Sequence, residues 1–99
     1  MSDIKLFKLT SGEEIMAQVE SIEKDTNNLR ITDAVALVYQ QAGDGRMTVG
    51  FAPFMPYADD KVTTLYASAV AASASPTGQI LGEYNRVFSK IVIAPAGSI

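Results

Sequence analysis

The sequence predicts a mainly β protein: one small, strongly bent, five-stranded antiparallel barrel followed by a single C-terminal helix. Three observations carry that expectation. Between Ile4 and Ser75 apolar residues recur mostly at period two, and breaks rich in glycine, asparagine and proline divide the stretch. From Thr77 the apolar period changes to three and four. Five short strands in 99 residues close most readily into a barrel, because a flat sheet leaves long edges open. A chain of this length forms one domain, residues 1–99, with strands over about 4–75, a helix over about 77–91 and a short tail.

The first strand is IKLFKL, with Phe7 and Leu9 on one face and Ile4 and Leu6 on the other, and it ends in a turn at Thr10, Ser11 and Gly12. In EIMAQVESI the residues Ile15, Ala17 and Val19 fall at period two opposite Gln18 and Glu20, the pattern of a half-buried second strand. After KDTNN, a long third strand LRITDAVALVY sets Leu29, Ile31, Val35, Leu37 and Tyr39 on one side and Arg30, Thr32 and Ala36 on the other. AGDGR has the composition of a tight turn that needs positive φ, so MTVGFAPFM pairs back as a fourth strand. Gly50 within it invites a bulge, and Pro53 and Pro56, lacking backbone donors, end the ladder.

KVTTLYASAVAASAS is read as a fifth strand, since its threonines, tyrosine and valines outweigh the helical preference of alanine. Ser75 and Pro76 suit an N-cap and a first helical residue. Ile80, Leu81, Tyr84, Val87, Phe88 and Ile91 then line one helix face, and the β-branched IVI before Pro95 suits a last short strand.

Composition removes several function classes. Without cysteine there is no disulfide, thiolate metal site or cysteine nucleophile, and without histidine the commonest general base and metal ligand are gone. An enzyme is not expected, nor a cofactor. Glu13-Glu14 and Asp59-Asp60 are adjacent pairs, which on a strand point to opposite faces, so they read as solvated charge and not as acid–base or metal pairs. Eight Lys and Arg against eleven Asp and Glu give a net charge of −3, so any nucleic-acid site must be local. The N-terminus lacks a signal-peptide pattern and no apolar run is long enough to span a bilayer, which predicts a soluble cytoplasmic protein without a membrane partner.

Bent five-stranded barrels of this kind leave the oligonucleotide-binding fold and the Sm-like fold as the chief candidates. The stretch LTSGEEIMAQVESIEKDTNNLRITDAV resembles the first sequence motif of Sm-like proteins: an apolar strand, a glycine turn, a curved strand, a short polar loop, then N-L and D-A. Gly12, Ile15, Ile22, Asn28, Leu29, Ile31 and Asp33-Ala34 match in order, over about a quarter of the chain. The rest departs from the family. Its second motif pairs an arginine with a glycine between the last two strands, and nothing between Met55 and Val70 contains that pair. The helix follows the strands instead of preceding them, and EKDTNN is one residue longer than the usual loop. In kind the chain is most similar to the divergent Sm-like proteins of marine phages.

The resemblance implies a homo-oligomeric ring built by edge-strand pairing, with the loop between strands two and three lining a pore and gripping single-stranded RNA, or single-stranded DNA. It implies the host cytoplasm if the chain is phage-encoded. In the family the loop asparagine hydrogen-bonds a base, and Asn28 matches that position. The loop residues suit the task on their own chemistry: Lys24 is a cation for phosphate, Thr26 a hydroxyl, and Asn27 and Asn28 amides that can read base edges. Asp25 and the two asparagines equally suit a turn with positive φ, which is the plainer reading of KDTNN. Asp33 is expected to order the loop by hydrogen bonds. Tyr57, Tyr66, Arg46 and Lys61 are candidates for the stacking and charge that the loop lacks, and Asn85, Arg86 and Lys90 form a polar helix face. A ring serving only protein interaction or structure, of viral origin, is the alternative, favoured by the acidic balance and the missing arginine.

Overall fold

The structure is a computed structural model that describes residues 3–88. Six strands precede one helix: β1 Asp3–Leu9, β2 Glu14–Ile22, β3 Leu29–Gln41, β4 Met47–Pro53, β5 Thr63–Leu65, β6 Val70–Ala74, and then α1 Gly78–Phe88. All ladders are antiparallel, in the order β4-β3-β2-β1-β6, with β5 paired to Leu29–Ile31 at the start of β3. Among the described residues no ladder joins β6 to β4 or to β5. The expected barrel is therefore a bent sheet that does not close.

The turns follow their chemistry. Gly12 at φ 99 and Gly45 at φ 89 occupy the left-handed conformations that end β1 and join β3 to β4. The fifth strand expected over Lys61–Ser75 is instead two, β5 and β6, separated by a single 3-10 turn at Ala67–Ala69. Ala69 N–H donates to the Tyr66 carbonyl and Thr10 N–H to that of Ala69, so the turn is hydrogen-bonded on both sides. Gly50 makes no bulge; β3 and β4 stay in one register from Val35↔Pro53 to Gln41↔Met47.

Two bulges lie instead between β2 and β3. Met16 pairs with Val35 and Gln18 with Thr32, so Asp33 and Ala34 together oppose Ala17. Asp33 takes φ 52, a left-handed conformation that aspartate tolerates better than most side chains. The extra residue reverses the side-chain alternation along β3. Ile31 joins Phe7, Leu9, Ile15, Ala17 and Leu65 in a cluster on the concave face, whereas Val35 lies with Met16 and Tyr84 on the opposite face. The expectation of one apolar side from Leu29 to Tyr39 is thereby corrected, and Asp33 sits within β3.

Helix α1 covers that second face. Ile80, Leu81, Tyr84 and Phe88 pack on Ile4, Leu6, Leu37 and Phe51, and the Tyr84 ring meets those of Phe51 and Phe88 at 6.3 and 4.8 Å between centroids. Tyr84 is fully buried, and its hydroxyl donates to the Asp33 carbonyl at 2.7 Å. Because both faces are covered, Ile15, Met16 and Ala17 are all fully buried in succession, and burial of a side chain the size of Ile15 or Met16 contributes about 1.5–3 kcal/mol. The helix begins later than Ser75 and Pro76 suggest: Thr77 Oγ1 accepts from Ile80 N–H at 3.4 Å, while Ser75 Oγ accepts from Lys5 Nζ. Lys90, the expected last turn to Ile91 and the short strand expected at Ile91–Ile93 lie outside the described residues.

Candidate nucleic-acid interface

The β2–β3 connection, residues 23–28, is a closed hairpin loop. Asn27 N–H donates to the Glu23 carbonyl at 2.9 Å and Glu23 N–H to the Asn28 carbonyl at 2.8 Å. Thr26 Oγ1 donates to Glu23 Oε1 at 2.7 Å and accepts from Asn28 N–H at 3.2 Å, so its hydroxyl shapes the turn. Asn27 takes φ 62, which accounts for an asparagine there on backbone grounds. Lys24 and Asp25 are exposed at the tip, and Lys24 makes no ion pair among the described residues.

Asn28 points elsewhere. Its Oδ1 accepts the Ala67 N–H at 2.9 Å in a partly buried position, which fastens the β2–β3 loop to the 3-10 turn between β5 and β6. Only the Nδ2 amide remains without a partner among the described residues. The structure thus brings together the loop and the connection between the last two strands, and makes Asn28 the residue that joins them.

Beside this junction the concave face opens into a cleft of about 340 Å³. Val19, Leu29 and Val70 form its floor, with Phe7 beneath, and Ile22 stands at its rim, 61% exposed. Asn27 and Ala67 border one side; Asp3, Lys5 and Ser73 border the other. Of the four expected loop residues only Asn27 reaches the cleft. Lys5 and Ser73 were not foreseen, although Lys5 has the period-two parity of Phe7 and Leu9 and so a charged side chain in a core-facing row.

The other candidates are dispersed. Tyr57 is 99% exposed in the β4–β5 connection, and Tyr66 lines a separate groove with Leu9, Phe54 and Met55. Arg46 bonds to Asp44 at 2.7 Å at the β3–β4 turn, and Lys61 borders a polar depression with Gln18 and Thr32. Arg86 pairs with Glu83 on the outer side of α1, beside Asn85. Glu13 accepts from Ser11 and Glu14 from the Tyr39 hydroxyl, and no cluster of acidic residues that could hold a metal ion occurs among the described residues. No described helix is long and apolar enough to cross a membrane.

Comparison with protein-family models and with curated proteins finds no match for this chain.

Proposed function

We propose that the chain is the non-catalytic subunit of an Sm-like homo-oligomeric ring that holds single-stranded RNA, or single-stranded DNA, at the β2–β3 loops around its pore. On this reading it acts in the cytoplasm, that of the host cell if it is phage-encoded. The observation that supports it best is the Asn28–Ala67 hydrogen bond, because it couples the loop that the Sm-like resemblance assigns to nucleic-acid contact with the connection where the family carries its second motif. The sheet order is compatible with such an assembly: β4 and β6 end the strand path, each with an unpaired edge among the described residues, and head-to-tail pairing of such edges makes a ring where the rotation between subunits closes.

A ring without nucleic acid, serving protein interaction or structure, is favoured by one particular: the Asn28 carbonyl that would read a base already accepts a backbone N–H. Fluorescence anisotropy with uridine-rich and adenine-rich RNA and matched single-stranded DNA, at two salt concentrations, separates the two. Lys24→Gln combined with Asn27→Gly spares the Asn28 bond and the positive φ of residue 27. That variant keeps the mass of the wild type and binds RNA about tenfold more weakly, roughly 1.4 kcal/mol per subunit site. No binding by the wild type at low salt transfers the conclusion to the structural ring.

A further inference from the structure

Lys5 is an unusual residue for its place. It lies between Asp3 and Phe7 on the concave side of β1, paired opposite the fully buried Ala17 of β2. It is half-buried, and among the described residues it has no carboxylate within ion-pair distance. Among the described residues its hydrogen bond is to Ser75 Oγ at 3.4 Å, long for a charge-assisted contact. An ammonium on a half-buried stem with so little compensation is poised to accept an anion.

The rest of the cleft limits what that anion belongs to. An inorganic anion would satisfy Lys5 but leave the aliphatic lining of Val19, Leu29 and Val70 uncovered, and would reach neither Asp3 nor Asn27 with a matching group. An alkyl carboxylate would cover the floor but set methylene groups against Asp3 and Asn27, at an energetic cost for each polar group desolvated without a partner. A nucleotide meets every wall. It carries a planar base for the floor and the Ile22 flank, and a base edge for the donor and acceptor of the Asn27 amide. Its hydroxyl or imino donors suit Asp3, and its phosphate suits Lys5.

Resting on the reading above for the polymer, we propose that the concave-face cleft seats one nucleotide unit, with Lys5 of β1 on its phosphate. Lys5 then supplies from the first strand the cation that the chain lacks between its last two strands. Ser73 lies beside it in register with Phe7 and offers a hydroxyl to the same phosphate.

Methyl NMR on the assembled protein tests this, because the floor carries its own probes. Titration with uridine or adenosine monophosphate shifts the Val19, Ile22, Leu29 and Val70 methyl signals saturably. Inorganic phosphate alone moves them far less. Lys5→Gln weakens mononucleotide binding at least about tenfold, and Lys5→Arg restores most of it. Val19→Phe, which fills the floor while leaving the charge, abolishes the shifts. A silent floor at saturating nucleotide, or equal affinity in Lys5→Gln, overturns the assignment. A parallel titration with an RNA oligonucleotide keeps the two readings apart. RNA that binds without moving the floor methyls sinks the cleft and spares the loop, whereas mononucleotide binding with no RNA binding does the reverse.

Discussion

Asn28 shows how one side chain can satisfy two descriptions at once. Its Oδ1 holds the Ala67 N–H, so truncation strands a partly buried donor, which costs about 1–3 kcal/mol. Asn28→Ala is therefore expected to lose that much stability in urea denaturation, while Asn28→Asp, which keeps an acceptor, loses little. If the alanine variant is as stable as the wild type, the bond contributes nothing to folding. The asparagine was legible in sequence as a loop residue, and its neighbour Asn27 as a turn former at positive φ. Its partner was not, because Ala67 lies 39 positions away in a run of small residues that carries no sign of a turn. Lys5 was hidden for a similar reason: its parity was readable, but its neighbours across the cleft come from the far ends of three other strands.

At the scale of elements, the helix and the third strand depend on each other through Tyr84. The sequence placed the helix and most of its apolar face, but Val87, expected on that face, is 52% exposed. It did not show that this face covers the back of the sheet, so Met16 escaped notice as a core residue. Burial first, and then the negative charge of Asp33, raise the Tyr84 phenol above its ordinary value of 10.0. A group whose pKa is raised by folding stabilises the fold fully below its unfolded value, and that contribution is lost as pH rises through the folded one. For one proton the loss is at most about 1.4 kcal/mol per pH unit above roughly pH 10. Tyr84→Phe removes the hydrogen bond to the Asp33 carbonyl, costing about 1 kcal/mol at neutral pH, together with this alkaline sensitivity. The stabilities of the two proteins are thus expected to converge between roughly pH 10 and 11.5 when measured by denaturant titration. The Tyr39 phenol, raised first by its hydrogen bond to Glu14, is present in both and cancels. Parallel curves would show that Tyr84 does not titrate within the fold.

For the whole molecule, the two outer strands differ in bulk. The β4 edge carries Met47 and Val49, 63% and 38% exposed, whereas β6 presents alanine and serine from Ala71 to Ala74. Bulky residues against small ones pack better head-to-tail than either edge does against itself, which favours a closed cycle over an isolated two-fold dimer. A lysine on an outer strand blunts its pairing with another chain. If the proposed ring closes through these edges, Val49→Lys is expected to leave a monomer at micromolar concentration in light scattering, with the thermal unfolding of the monomer little changed. An unaltered mass would place the contact elsewhere. The overall class, a β-rich chain closed by one helix, was legible from periodicity. The open sheet and the division of the fifth strand were not, since both depend on pairing partners that a one-dimensional pattern does not name.

The additional residue at Asp33 sets the reading frame of everything beyond it. Before it, odd-numbered side chains of β3 enter the concave core; after it, they enter the layer beneath the helix. Loss of that one residue would leave a regular ladder in which Ala34 opposes Ala17 and Val35 still opposes Met16, so both would keep their faces. The left-handed turn at Asp33 is thus itself a determinant of the fold: with Asp33 kept, a flattened ladder would exchange the two layers beyond it, whereas its deletion would preserve them.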